Sequence, residues 1–245
     1  MRRNWRRNPL DSMSTNNKRI VLAGGSGFIG SALAADWLAQ NGEVVVLTRS
    51  PHGRTDGVIE CEWDGEHLGE WIKYLEEAEA VIGLAGKNIN CRHTPDNVQD
   101  LADSRVKSVR AIAVGLDHAT RPPRVWIQAS GIGFYGDQQD KLCDENSPTG
   151  SDALAGICCQ WEGAFYSARP KKTRKVLLRI GFALGRNGGG LPVLAKLTKW
   201  FLGAGPAAAD NSLVGSMSRI WCGCAVKSLC ATIYRACSTP WRRTL

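Results

Sequence analysis

Between a β-branched run at Arg19 to Ala23 and an amphipathic stretch opening at Gly27, the chain carries Gly24-Gly25-Ser26-Gly27-Phe28-Ile29-Gly30. A strand, a glycine turn and a helix in that order leave few folds open. Gly24 permits a tight turn, Gly27 lets a pyrophosphate approach the backbone, and Gly30 lets the helix pack closely on the strand. The helix start adds free N–H groups and a positive dipole end, both suited to an anion. The competing reading is an ordinary strand-to-helix turn; the flanking elements weigh against it.

Short β-branched runs alternate with longer amphipathic stretches along the chain, the pattern of βαβ units around a buried parallel sheet. Strands are predicted at Arg19 to Ala23, Glu43 to Thr48, Val58 to Cys61, Ala80 to Leu84, Arg124 to Ser130 and Lys175 to Ile180. Helices are predicted at Gly27 to Gln40, Pro95 to Ala119 and Asp152 to Arg169, with shorter ones near Trp71 to Glu77 and Leu191 to Phe201. The first helix gathers Ile29, Leu33, Trp37 and Leu38 on one face and stops at Asn41-Gly42. The fold class is α/β, a doubly wound parallel sheet of the Rossmann type over residues 18–202, with residues 1–17 a disordered extension and 203–245 an aberrant tail.

The net charge of +8 invites nucleic acid as a partner until it is located. Arg2, Arg3, Arg6 and Arg7 face only Asp11 at one end, and Arg219, Lys227, Arg235, Arg242 and Arg243 face only Asp210 at the other. The body between them is close to neutral, which argues against a phosphate-backbone binder. No apolar run is long enough to span a membrane. The nine cysteines form no Cys-x-x-Cys pair and no zinc spacing, and no secretory leader precedes them. Reduced thiols in a cytoplasmic compartment, with no metal, are expected. Met13 suits a start site as well as Met1 does.

The second strand decides which dinucleotide is expected. An acidic residue at its end bonds the ribose hydroxyls of NAD; here Val44-Val45-Val46-Leu47 runs into Thr48-Arg49-Ser50. An arginine pairs with a 2′-phosphate, and no carboxylate stands there to repel one. NADP(H) is therefore the expected cofactor and NAD(H) the less favoured one. The alternative for Arg49 is a solvated surface side chain.

The runs Gly24 to Gly30, Leu84-Ala85-Gly86, Asp103-Ser104-Arg105-Val106, Ala129 to Asp137 and Leu178 to Gly185 occur in an order that resembles the epimerase-family proteins of the atypical extended short-chain dehydrogenase/reductase group. The resemblance covers residues 18–202. It implies that the Leu84 to Gly86 turn lies beside the adenosine and nicotinamide riboses and that Ser130 ends a strand facing the nicotinamide. Cofactor contact is thereby assigned to Gly24, Ser26, Gly27, Phe28, Ile29, Gly30, Arg49, Leu84, Ala85, Gly86, Arg105 and Ser130. Typical members of the wider superfamily pair a tyrosine with a lysine four residues on, the lysine favouring the tyrosinate. Aligned on Trp161-Glu162, those positions hold Leu154 and Cys158, as the epimerase-family branch also lacks the pair. Ser130 and Tyr135 remain as polar groups able to orient a carbonyl or hydroxyl, Tyr135 otherwise packing or bonding the backbone. Cys158-Cys159 reads as core filling and Glu76-Glu77 as solvated helix surface.

The resemblance stops at Leu202. In the family the next helix leads to a Gly-rich turn, a Trp-x-His-x-Asp/Glu-Asp-Leu-Val segment and a strand ending near Asn-Ala-x-Ala-Pro. Re-read so that each codon joins the third base of one codon to the first two of the next, Asp210 to Cys222 permit QQFGWVHVEDLV and Cys237 to Arg243 permit FNAVAP. Degenerate codons are permissive, so one match carries little; two in one frame and in the family order argue for a one-base shift between Leu202 and Asp210. The shift accounts for the tail's cysteines, its charge and its lost periodicity, and it implies that the substrate lobe is replaced. Coding DNA whose shifted frame holds stops, or lacks these runs, removes the idea.

The leading expectation is an NADP(H)-binding epimerase-like oxidoreductase acting by hydride transfer on a carbonyl or sugar-like small molecule. The alternatives are a non-catalytic NADP(H)-binding module serving a partner or sensing redox state, or an inactive frameshifted relative. Binding of nucleic acid or acidic membrane through the basic ends ranks lowest.

Overall fold

The computed structural model describes residues 18–181, 183–185, 188, 189, 232 and 235. Six strands form one parallel sheet: β1 (Arg19–Ala23), β2 (Glu43–Thr48), β3 (Ile59–Glu62), β4 (Ala80–Gly83), β5 (Val125–Gly131) and β6 (Arg174–Ile180). Their order is β3-β2-β1-β4-β5-β6, so the direction of winding reverses between β1 and β4. Helices α1 (Phe28–Leu38), α2 (Pro95–His118) and α3 (Ala153–Ser167) connect them. A two-stranded antiparallel piece, β7 (Leu184–Gly185) with β8 (Gly188–Gly189), follows the sheet. The doubly wound α/β class expected from the sequence is present. The expected extension over 1–17, the helix at Leu191 to Phe201 and nearly all of the tail fall outside the described residues.

Parallel strands covered on both faces need apolar side chains at every position, because successive residues point to opposite layers. Ile20 and Leu22 of β1 join Val44, Val46 and Ile82 beneath α1, which contributes Leu33, Ala34 and Trp37. Val21 and Ala23 join Val45, Leu47 and Val81 on the opposite face, with Val109 and Ile112 of α2 and Trp161 and Phe165 of α3. Helix α1 ends where predicted: Asn41 has φ +59, and a Cβ at Gly42 would overlap the Trp37 indole. The Trp37 indole instead donates to the Lys18 carbonyl at 2.9 Å, tying α1 to the start of β1. Thr94 caps α2 by accepting from the Asn97 amide, with Pro95 at the first helical position, and Asp152 caps α3 by accepting from the Ala155 amide.

The stretch predicted as a short helix at Trp71 to Glu77 is a 3-10 segment over Glu70–Leu75. Its start is pinned from outside. The indoles of Trp63 and Trp71 both donate to the His67 carbonyl, at 3.2 and 3.1 Å, and pack at 5.5 Å. Asp64 shapes that turn by accepting from the Glu66 and His67 amides, each at 2.8 Å, and from the His67 ring at 2.6 Å. The His67 and Glu66 amides, followed by the His67 ring, pull the Asp64 carboxyl down to about 2. A depressed carboxyl contributes stability that is present above its unfolded value, about 4, and lost as pH falls through the folded value. Replacing Asp64 by Asn should therefore flatten the acid limb of a pH–denaturation curve between about pH 4 and pH 2, leaving neutral behaviour set by other groups.

Gln128 is the polar residue at the centre of the sheet. It accepts from the Trp126 indole at 3.2 Å and donates to the carbonyls of Gly83 and Ala129 at 3.0 and 3.2 Å. A Cβ at Gly83 would occupy the same space, so glycine there and glutamine on the neighbouring strand require each other. Gln128→Leu leaves a buried indole N–H without an acceptor, and urea denaturation should show a loss of about 1–3 kcal/mol.

Candidate functional site

The turns after β1 and β4 meet where the sheet reverses direction, the place where open α/β sheets form a crevice. Gly24 has φ +80, and a Cβ on it would lie 2.5 Å from the Cα of Ala85. The Gly24 amide donates to the Leu47 carbonyl at 3.0 Å and the Leu84 amide to the Ala23 carbonyl at 2.8 Å, so three strands hold the two turns together. Gly30 packs so closely on Gly25 that a side chain would overlap its backbone. Gly27 differs: a Cβ there meets nothing within 4 Å. It precedes α1, whose first turn has neither a side-chain cap nor an acidic residue. Ser26 and Gly27 are exposed, Phe28 and Ile29 half-buried and Gly30 buried. Exposed space beside uncapped amides is a cradle for an anionic group.

At the end of β2, Arg49 is exposed and makes no hydrogen bond or ion pair with another described residue. The loop beside it is held from within: the amides of His52, Gly53 and Arg54 converge on one oxygen of Glu60, at 2.9, 2.8 and 3.2 Å. Those amides hold the Glu60 carboxyl below its usual range. Leu84 and Ala85 are half-buried and Gly86 is exposed. Arg105, on α2, packs against Gly86, where a Cβ would lie 3.0 Å from its guanidinium carbon.

The end of β5 carries a buried charged network. Ser130, 4% exposed, donates its hydroxyl to Oε1 of Glu162 at 2.6 Å. Glu162, on α3 and 3% exposed, is gripped by Arg179 of β6 through Nε at 2.9 Å and Nη2 at 2.8 Å. Arg179 also donates from Nη1 to the Tyr135 phenol at 2.9 Å, and its guanidinium carbon lies 3.6 Å from the Phe134 ring centroid. The Glu162 carboxylate, then the phenol, hold the Arg179 guanidinium above its ordinary value. Ser130 is thus turned toward α3, where it serves the carboxylate. Tyr135 accepts from Arg179, which has no acceptor of its own, so the phenol hydrogen is left for another group. Leu154 is half-buried, and Cys158, whose thiol burial pushes up, stands 3.9 Å from the Gly131 carbonyl.

Glu162 and Arg179 were missed as site residues, although both lie inside motifs the sequence displays. Arg179 interrupts the apolar Val176-Leu177-Leu178 and Ile180 of β6, and Glu162 is the charged residue of an otherwise uncharged α3; buried charges are paired. Sequence spacing alone does not say that the two are partners. Breaking such a pair from one side strands the other charge, so Glu162→Gln should lower unfolding free energy by roughly 3–5 kcal/mol. Ser130→Ala, which removes one hydrogen bond, should cost about 1–2 kcal/mol. Near-equal effects in chemical denaturation contradict this arrangement.

The NAD dependent epimerase/dehydratase family model matches residues 20–156. The Arabidopsis thaliana protein named "Epimerase family protein SDR39U1 homolog, chloroplastic" is 30% identical over 239 residues, 94% of this chain and 65% of that one. The human epimerase family protein SDR39U1 is 31% identical over 178 residues, 71% of this chain and 57% of its own. The crystal structure of human SDR39U1 (isoform 2) with NADPH superposes with a TM-score of 0.64 at 29% identity, covering 74% of this chain and 60% of that one. A nucleoside-diphosphate sugar epimerase from Corynebacterium glutamicum superposes at 0.62 with 28% identity, over 76% of this chain and 38% of that one. The chain thus spans somewhat under two thirds of the length of these relatives. With its glycine turn, its reversed strand order and these matches, the chain belongs to the NAD dependent epimerase/dehydratase family, within the extended short-chain dehydrogenase/reductase group.

Proposed function

We propose that this chain binds NADP(H) across the crevice between β1 and β4 and belongs to an epimerase-like oxidoreductase acting on a carbonyl or sugar-like small molecule. The observation that carries the reading is the open backbone at Gly27, set beside uncapped helix amides and within the same crevice as an exposed Arg49 that pairs with no other described residue. The pyrophosphate rests on the amides around Gly27, Phe28 and Ile29, with Gly24 and Gly30 shaping the turn and Ser26 at its exposed edge. Arg49 takes the 2′-phosphate, while Leu84, Ala85 and Gly86 border the riboses. A human relative solved with NADPH supports this choice of dinucleotide over NAD(H). The nicotinamide, when bound, supplies or accepts hydride. Tyr135 and Ser130 are the chain's candidates for polar work there, Tyr135 as a hydrogen donor and Ser130 through Glu162.

A second reading is a non-catalytic NADP(H)-binding module. Leu154 and Cys158, where the superfamily has tyrosine and lysine, favour it. The out-of-frame reading of residues 203–245 favours it too, since it removes the family's substrate lobe. Turnover of NADPH with any member of a carbonyl panel argues against this second reading. Five described cysteines, Cys61, Cys91, Cys143, Cys158 and Cys159, form no disulfide with one another. No helix among the described residues is long and apolar enough to cross a membrane.

Fluorescence titration with NADPH and NADH tests the cofactor reading. Saturable binding should favour NADPH, and Arg49→Ala should reduce that preference by about tenfold or more, the worth of one charge-assisted contact. Gly27→Val should keep the folded signal and lose both nucleotides, because its side chain would enter the space left for the pyrophosphate. Unchanged binding in Gly27→Val overturns the proposed placement.

A further inference from the structure

One corner of the crevice contains more hydrogen-bond donors than acceptors. Arg105 is half-buried, and its guanidinium donates from Nη1 to the Leu101 carbonyl at 2.8 Å and from Nη2 to the Lys87 carbonyl at 3.1 Å. A guanidinium has five N–H groups. Nε and one hydrogen on each terminal nitrogen are therefore left without an acceptor among the described residues. Burial pushes the Arg105 guanidinium below its ordinary value, with no carboxylate among the described residues to oppose that. The ionisable neighbour is Cys158, and burial pushes its thiol up, toward the neutral form. Trp161 packs with its ring centroid 5.2 Å from the Arg105 guanidinium carbon. Trp161 is 8% exposed, and its indole N–H is enclosed with no acceptor among the described residues.

A desolvated cation without a counter-charge is costly to hold, and such groups concentrate where a ligand supplies the missing charge. The position matches that role. Arg105 presses on Gly86, whose exposed backbone borders the crevice, and it neighbours Cys158, at one of the two positions where the superfamily's proton-transfer pair is replaced.

We infer that Arg105, which the resemblance assigned to the cofactor, instead anchors a carboxylate carried by the substrate, holding it at the Gly86 end of the turn that borders the riboses. The inference rests on the NADP(H) reading above and refines it to a substrate class: a small carbonyl or hydroxyl compound bearing a carboxylate. A planar carboxylate matches the flat guanidinium edge with two parallel hydrogen bonds, whereas a lysine would offer only a point charge. The two backbone carbonyls fix the guanidinium in advance, so little freedom is lost when the anion arrives.

The test is calorimetric titration of the full chain with oxamate, and separately with inorganic phosphate, both with saturating NADPH and without cofactor. NADPH affinity is measured first by fluorescence on the same preparation, so a failure of the cofactor reading is seen by itself. Saturable oxamate binding is expected, weakened about tenfold or more in Arg105→Met and several-fold in Arg105→Lys. The lysine variant keeps the charge and the aliphatic stem against Trp161, and it serves if the methionine variant does not fold. Three outcomes overturn the inference: no oxamate binding in either arm, oxamate binding unaffected by both substitutions, or phosphate bound in preference to oxamate.

Discussion

The close approach of Gly24 to Ala85 governs the architecture around the crevice. Two turns from strands adjacent in space but separated by a crossover touch backbone to backbone, and no side chain fits between them. That contact sets how near the N-terminal end of α1 comes to the end of β4, and so how wide a groove the reversal of the sheet leaves open. Gly25 and Gly30 repeat the requirement behind the turn, where Leu22 and the backbone of α1 close in. Gly27 alone of the four faces empty space. Steric crowding on three glycines and its absence at the fourth distinguish a turn built only to connect elements from one built to receive a ligand.

Behind that groove, the Glu162–Arg179 pair joins α3 to β6 and draws in β5 through Ser130 and the following loop through Phe134 and Tyr135. Both oxygens of the carboxylate accept, and the guanidinium is engaged through two edges and one face, the condition under which a buried ion pair is tolerated. Its structural effect is to fix the loop on which Tyr135 sits. The polar groups near the β5 end of the crevice therefore belong to two assemblies: one internally satisfied, centred on Glu162, and one with donors left unused among the described residues, centred on Arg105.

Much of the fold was legible because it is written in local signals. Apolar runs placed all six strands to within one residue at each end, and the Asn41-Gly42 stop signal lies just past the end of α1. The Glu70–Leu75 segment was misread as an ordinary short helix because its geometry depends on the His67 carbonyl meeting two indoles, one of them outside the segment. At the site, the glycine turn was readable for the same local reason, and Arg49 stands exposed after β2 where the sequence placed it. The pairing of Ser130 with Glu162, and of Glu162 with Arg179, spans separations of 32 and 17 residues and depends on the register between β5, β6 and α3. The donor surplus at Arg105 was invisible for a different reason: it is defined by acceptors that are missing from a three-dimensional neighbourhood, and spacing along a chain does not report absences.

The loop that follows β2 takes its shape from the chain itself. Three consecutive amides that could have closed on an external anion close instead on Glu60, on the neighbouring strand β3. Under the proposed cofactor reading, shape and selectivity fall to different residues, the first to a carboxylate already in place and the second to Arg49, which makes no hydrogen bond or ion pair with another described residue. An arrangement of that kind is modular in the evolutionary sense. On that reading, substitutions at Arg49 would move a lineage between dinucleotides while the scaffold that presents it stays under separate, purely structural selection.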